Sequence, residues 1–185
     1  MPSIGPISPS SSSEETGYAR AWSNLANIYT SNDVHASIAA GSAGDDTNIL
    51  VASGFDFSTL PTGCIIDGVV FTVEAKKANI GVVTFIKAVI AVDLNEGNDQ
   101  SAGTVLTASD AVHTFGSSTE THGLIPSRLS SENIRNSFSV KIQFDMGSAT
   151  NTCTVDHITA TVYYTTTTGS YSNRYSGIIN QIIGR

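Results

Sequence analysis

The chain has 185 residues, a formal net charge of -7, only 14% charged residues, 16 glycines and many Ser and Thr. It has no basic surplus to neutralise phosphates, which argues against a polyelectrolyte role on nucleic acid. It also has no run of about 18 apolar residues for a helical membrane span. Two cysteines are too few for a disulfide scaffold, while the length suffices for one domain with a substantial core.

The opening, MPSIGPISPSSSSEE, has neither the basic nor the apolar region of a secretory signal, so none is expected. Pro2, Pro6, Pro9 and the run Ser10 to Ser13 make residues 1–17 read as a flexible arm. From Tyr18 the texture changes. Trp22, the single tryptophan, is expected to anchor the core together with Leu25 and Ile28. Val34 to Ala40 suits a short strand, and Gly41 to Asn48 a loop.

Ile49, Val51, Ser53, Phe55 and Phe57 alternate with smaller or polar residues. That pattern predicts a strand with the odd positions inward and Gly54 as a bulge. After the Leu60–Gly63 turn, residues 64–76 predict a strong strand with Ile65, Val69, Phe71, Val73 and Ala75 on one face. Residues 82–94 are apolar on both parities, as in a strand covered on both faces. Leu129 to Asn136 suits a helical turn capped by Ser130 or Ser131.

Phe138, Val140, Ile142, Phe144 and Met146 alternate with polar residues, and so do Ile158, Ala160, Val162 and Tyr164. With six residues between them, the two segments predict an antiparallel hairpin. Beyond Thr165, Ile178, Ile179, Ile182 and Ile183 share one helical face. The chain therefore divides into an arm (1–17), a sandwich domain (18–165) and a tail (166–185) with a short helix able to dock on a neighbour. About seven or eight strands without intervening helices predict an all-β fold, an antiparallel β-sandwich or jelly roll.

Chemistry-bearing motifs are scarce. The nucleophile-elbow, P-loop, HExxH and CxxC patterns are all missing from the sequence. His35, His113, His122 and His157 read as surface imidazoles, His157 on the wet face of its strand. Asp93, Asn95, Glu96, Asn98 and Asp99 form an oxygen-rich loop that departs from the calcium-loop pattern and reads as solvated. Cys64 and Cys153 read as reduced thiols. No catalytic, cofactor or metal residue is assigned. Tyr163, Tyr171 and Tyr175 are the candidates for an aromatic sugar platform.

The stretches WSNLANIYTSNDVHASIA, LVASGFDFSTLPTGCIIDGVVFTVEAK, SFSVKIQF and TCTVDHITATVYY resemble a β-sandwich domain that recurs in bacteriophage virion proteins. The elements that carry the resemblance are Trp22-Ser23-Asn24, Phe55 through Val69, and Val155 through Tyr164. His122-Gly123 departs from it, because members often carry Trp-Gly there. Asp156 would fasten a backbone turn, and Asp67-Gly68 would bulge its strand.

The resemblance implies a structural virion protein without enzymatic activity or cofactor, foremost a capsid decoration (cement) protein that stabilises the phage head. It would be made in the host cytoplasm and sit on the head surface, bound to the major capsid protein and to copies of itself as a homotrimer. Neither nucleic acid nor membrane is an expected partner. The partner contacts would lie in the two arms, at Ile4, Ile7, Tyr171, Tyr175, Ile178, Ile179, Ile182 and Ile183. The alternatives are a tail, neck or fibre-base component with an attachment role, and a carbohydrate-binding module.

Overall fold

A computed structural model describes residues 1–78, 81–148 and 150–166. The strands are β1 (Ser3–Ile7), β2 (Ser11–Glu15), β3 (Trp22–Ser23), β4 (Ala36–Ile38), β5 (Ile49–Ser53), β6 (Ile65–Ala78), β7 (Thr84–Val92), β8 (Asn95–Glu96), β9 (Ala111–Gly116), β10 (Ser139–Asp145) and β11 (Thr152–Thr165). One helix, α1 (Ser131–Ser137), precedes β10.

The strands form two antiparallel sheets. One runs β3-β4-β11-β6-β9, with β1 also paired to β11, and the other runs β2-β5-β10-β7-β8. The antiparallel β-sandwich that the alternation implied is therefore present. From β4 to β11 the chain changes sheet repeatedly, so each apolar strand face meets the opposite layer.

Eight aromatic rings fill the gap between the sheets. Trp22, Phe144, Phe85, Phe115 and Phe71 form one chain of contacts, with Phe85 and Phe144 centroids 4.5 Å apart. Phe55 and Phe57 both meet Phe138 edge-on, at 5.2 and 5.3 Å, at the foot of α1. Burying each ring contributes about 1.5–3 kcal/mol relative to exposure. Trp22 is the expected anchor: it is buried, and its indole N–H donates to the Asn48 carbonyl at 2.8 Å. In α1 the Ser130 hydroxyl caps the helix by accepting the Asn133 N–H at 3.2 Å.

Four expectations are corrected. First, the N-terminal segment is extended but not free. β1 joins β11, and β2 joins β5 through Ser11↔Ser53 to Glu15↔Ile49. A serine run without apolar residues still pairs well, because the sheet edge offers it backbone partners.

Second, the parity of β5 is reversed. Leu50 and Ala52 are fully buried between the sheets, while Val51 and Ser53 lie on the outer face. Gly54, at φ +70°, resets the chain direction and lets Phe55 and Phe57 turn inward after all.

Third, Ile65 is 54% exposed and Ile66 is buried instead. The pairing steps from Tyr163↔Gly68 to Tyr164↔Ile66, so Asp67 is the extra residue of a bulge that flips the parity below it.

Fourth, β10 and β11 are not a hairpin. β10 pairs with β5 and β7, whereas β11 pairs with β4, β6 and β1. Their short connection passes from one sheet to the other. Cys153 of β11 thereby lies inward against Met146, with the sulfurs 3.7 Å apart.

Candidate functional site

The outer face of the five-stranded sheet carries a cleft of about 490 Å³. Its floor follows from strand register. Ser11 of β2 stands beside Ser53 of β5, which stands beside Ser139 of β10, so three hydroxyl side chains cross three strands in one row. In the next row Ser13, Val51, Lys141 and Val89 run from β2 to β7. Leu94, 98% exposed, and Asn136 and Ser137 at the end of α1 form the wall.

Charge is organised around Lys141 on the central strand. Its ammonium meets Glu15 of one edge strand at 2.5 Å and Glu96 of the opposite edge strand at 2.9 Å. Glu96 also accepts from Lys87 at 2.8 Å. The four groups form one ionic rib across the whole sheet. Partial burial works against the Lys141 ammonium, but the hydrogen bonds it donates to Glu15 and Glu96, with their charges, outweigh it and hold its pKa above the ordinary lysine value. Burial likewise opposes the Glu96 carboxylate, yet Lys87 and Lys141 hold its pKa below the usual range.

The sequence concealed this site in two ways. The alternation of Ser11, Ser13 and Glu15 was masked by a run that reads as low complexity, and the reversed parity of β5 placed Val51 and Ser53 inside. Only Ser139 and Lys141, on the wet face of β10, were legible as surface. The oxygen-rich segment 93–99 is largely exposed, as expected of a solvated loop, but it is held in place. It contains β8, Glu96 belongs to the rib, and Asp99 accepts backbone N–H groups of Ala88 and Ser101 at 2.8 and 3.0 Å.

The remaining candidate residues do not converge. Ile4 and Ile7 are half-buried and pack against the chain's own core. Tyr171, Tyr175, Ile178, Ile179, Ile182 and Ile183 lie outside the described residues. Tyr163 is half-buried on the opposite sheet, between Ser3 and Gly68. Among the described residues no three His, Cys, Asp or Glu side chains are placed to hold a metal.

The histidines are separate from one another, and none is the freely exposed imidazole expected, His35, His113 and His157 being half-buried and His122 fully buried. His157 lies 2.8 Å from the Ser8 hydroxyl, and His35 lies 3.3 Å from Asp110. Cys64 and Cys153 are both buried free thiols, and desolvation raises the pKa of each. A smaller apolar recess of about 230 Å³ lies beside Cys64, between Ile66, Leu124 and Leu129.

No protein-family model matches the chain, and no curated protein matches it. Several solved structures are similar to it over most of its length. The CBM22-1 xylan-binding domain from Paenibacillus barcinonensis Xyn10C is 9% identical with a TM-score of 0.45, over 86% of this chain and 94% of that one. The second N-terminal cellulose-binding domain of Cellulomonas fimi β-1,4-glucanase C is 12% identical with a TM-score of 0.44, over 86% and 94%. The enzymatically active domain of bacteriophage CBA120 tailspike protein 4 is 10% identical with a TM-score of 0.39, over 84% of this chain and 19% of that one.

These findings correct the expected membership among phage capsid decoration proteins. The sequence stretches that suggested it match no family model, and the similar solved chains named are carbohydrate-binding modules and a phage tailspike, with no capsid decoration protein among them. The capsid-cement and virion readings are corrected with it.

Proposed function

We propose that this domain binds carbohydrate and does not turn it over. The observation that carries the reading is the cleft on the outer face of the five-stranded sheet, floored by the Ser11–Ser53–Ser139 row and walled by Leu94. A sugar offers hydroxyls that both donate and accept, and a serine row answers both. Val51 and Leu94 supply apolar contact for the C–H face of a pyranose. Phe138, the aromatic residue of the lining, is buried, so hydroxyls and aliphatic contact replace ring stacking. The floor stands on strands, which fix its geometry better than loops do.

Affinity electrophoresis and glycan arrays test this directly. The intact chain should be retarded by at least one polysaccharide. Ser13→Trp and Ser53→Trp fill the cleft from its solvent side and should abolish that retardation while leaving the melting temperature near wild type. An array of plant, bacterial and algal glycans on which the folded chain binds nothing would refute the reading.

A further inference from the structure

We infer that Glu15 and Glu96 make the cleft selective for uncharged polysaccharides over anionic ones, by occupying the ammonium that would otherwise receive an acidic sugar. The inference rests on the carbohydrate reading of the same cleft and concerns which class of glycan it takes.

Lys141 is the cation of the cleft lining. It stands on the middle strand of five, and each carboxylate reaches it from an edge strand two positions away. That separation is about 10 Å of sheet on either side, which only long side chains extended over the face can span. The Lys141 side chain is 15% exposed, against 45% for Glu15 and 34% for Glu96. A ligand entering from solvent therefore meets carboxylate oxygen before it meets ammonium.

Lys87 offers no alternative, because Glu96 holds it as well. The rib sums to zero, with two ammoniums and two carboxylates, and it sits on a chain of net charge -7. A uronate or sulfate would have to displace Glu15 or Glu96 from Lys141 and then lie beside the displaced carboxylate. Like charges brought together in a partly desolvated cleft repel strongly. A neutral sugar meets no such cost. It can donate hydroxyls to the exposed oxygens of Glu15 and Glu96 while the rib stays closed, and such charge-assisted bonds are the stronger kind.

The test compares neutral probes (hydroxyethylcellulose, arabinoxylan and galactomannan) with anionic ones (polygalacturonate, alginate and chondroitin sulfate). It uses the full chain, Glu15→Gln/Glu96→Gln, and Lys141→Met. Wild type should be retarded by a neutral probe and by no anionic one. The double Gln variant frees Lys141 and should bind an anionic probe about tenfold more tightly than wild type does, with the gain lost on raising the salt. Adding Lys141→Met to that variant should erase the gain.

Retardation of wild type by an anionic probe would overturn the inference while leaving the carbohydrate reading intact. So would neutral binding by wild type with no anionic gain in the double variant. If wild type and the double Gln variant bind none of the six probes, and the array is blank as well, the carbohydrate reading itself fails and the inference goes with it.

Discussion

The Nε2–H of His122 donates to the backbone carbonyl of Val69, 2.9 Å away across 53 residues of chain. The imidazole is fully buried, and its Nδ1 has no protein partner among the described residues. It lies 6.0 Å from the Phe71 ring. This histidine, read from the sequence as a surface group, is instead packed inside the sandwich as a neutral ring.

Burial lowers the pKa of His122, against smaller opposing effects from the Val69 carbonyl and Glu120, and it lowers that of His113 too. The folded chain thus binds fewer protons than the unfolded chain around and below pH 6.5. The stability from the neutral rings is fully present above that pH and is lost as the pH falls toward the folded-state values. The melting temperature should therefore decline from pH 7 to pH 5.5, before the salt-bridged Asp110 and Glu96, whose pKa values are held below normal, begin to protonate. His122→Asn tolerates the φ of +55° and should flatten that slope. An unchanged slope would remove His122 from the explanation.

Gly116 serves the same contact. A Cβ there would lie 2.3 Å from the Val69 carbonyl oxygen and 2.6 Å from His122 Nε2, at φ +81°. Gly116→Ala should cost about 2–4 kcal/mol through strain and the lost hydrogen bond. Urea unfolding measures it, and a loss under 1 kcal/mol would show that the β9 edge yields easily.

Arg20 clasps two segments, 39–45 and 148–151, to its own. Its guanidinium donates to the carbonyls of Ser42, Ala39, Ser148 and Asn151 and pairs with Asp45 at 3.3 Å, all while buried. Gly41 leaves the room, since a Cβ there would come within 2.7 Å of Arg20 Nε. Lysine keeps the charge but not the fork, so Arg20→Lys should destabilise by about 2–3 kcal/mol. Increased proteolysis in segments 39–45 and 146–151 would accompany it, and wild-type stability would contradict the clasp.

Asp156 is buried on β11, and its carboxylate accepts the backbone N–H groups of Asn32 and Asp33 at 3.2 and 3.3 Å. That is the turn-fastening role expected of it. Asp156→Ala should strand both donors and cost about 1–3 kcal/mol, with faster amide exchange at Asn32 and Asp33 as the local readout.

Ser130→Ala removes the cap of α1 and should cost about 1 kcal/mol in urea unfolding. Because Asn136 and Ser137 close the end of the cleft, the same variant should weaken glycan retardation modestly. A full loss of retardation with no change in stability would mean that Ser130 has another role.

Local sequence signals were enough to establish that the chain forms strands, which faces of β10 and β11 point inward, that a helical turn starts at Ser130 or Ser131 and that Trp22 is a core residue, while the structure chose Ser130 as the cap. Each of these depends on residues close together in sequence, where the period of a strand or a helix turn acts directly. Tertiary structure alone decided the sheet to which each strand belongs. β10 and β11 could equally have paired or faced each other, and burial of both inward faces against opposite layers selected the second. It also decided the parity of β5 and of the start of β6, because a single bulged residue inverts every position beyond it. The cleft was invisible for the same reason. Its serines come from β2, β5 and β10, and only sheet register brings residues 11, 53 and 139 into one row.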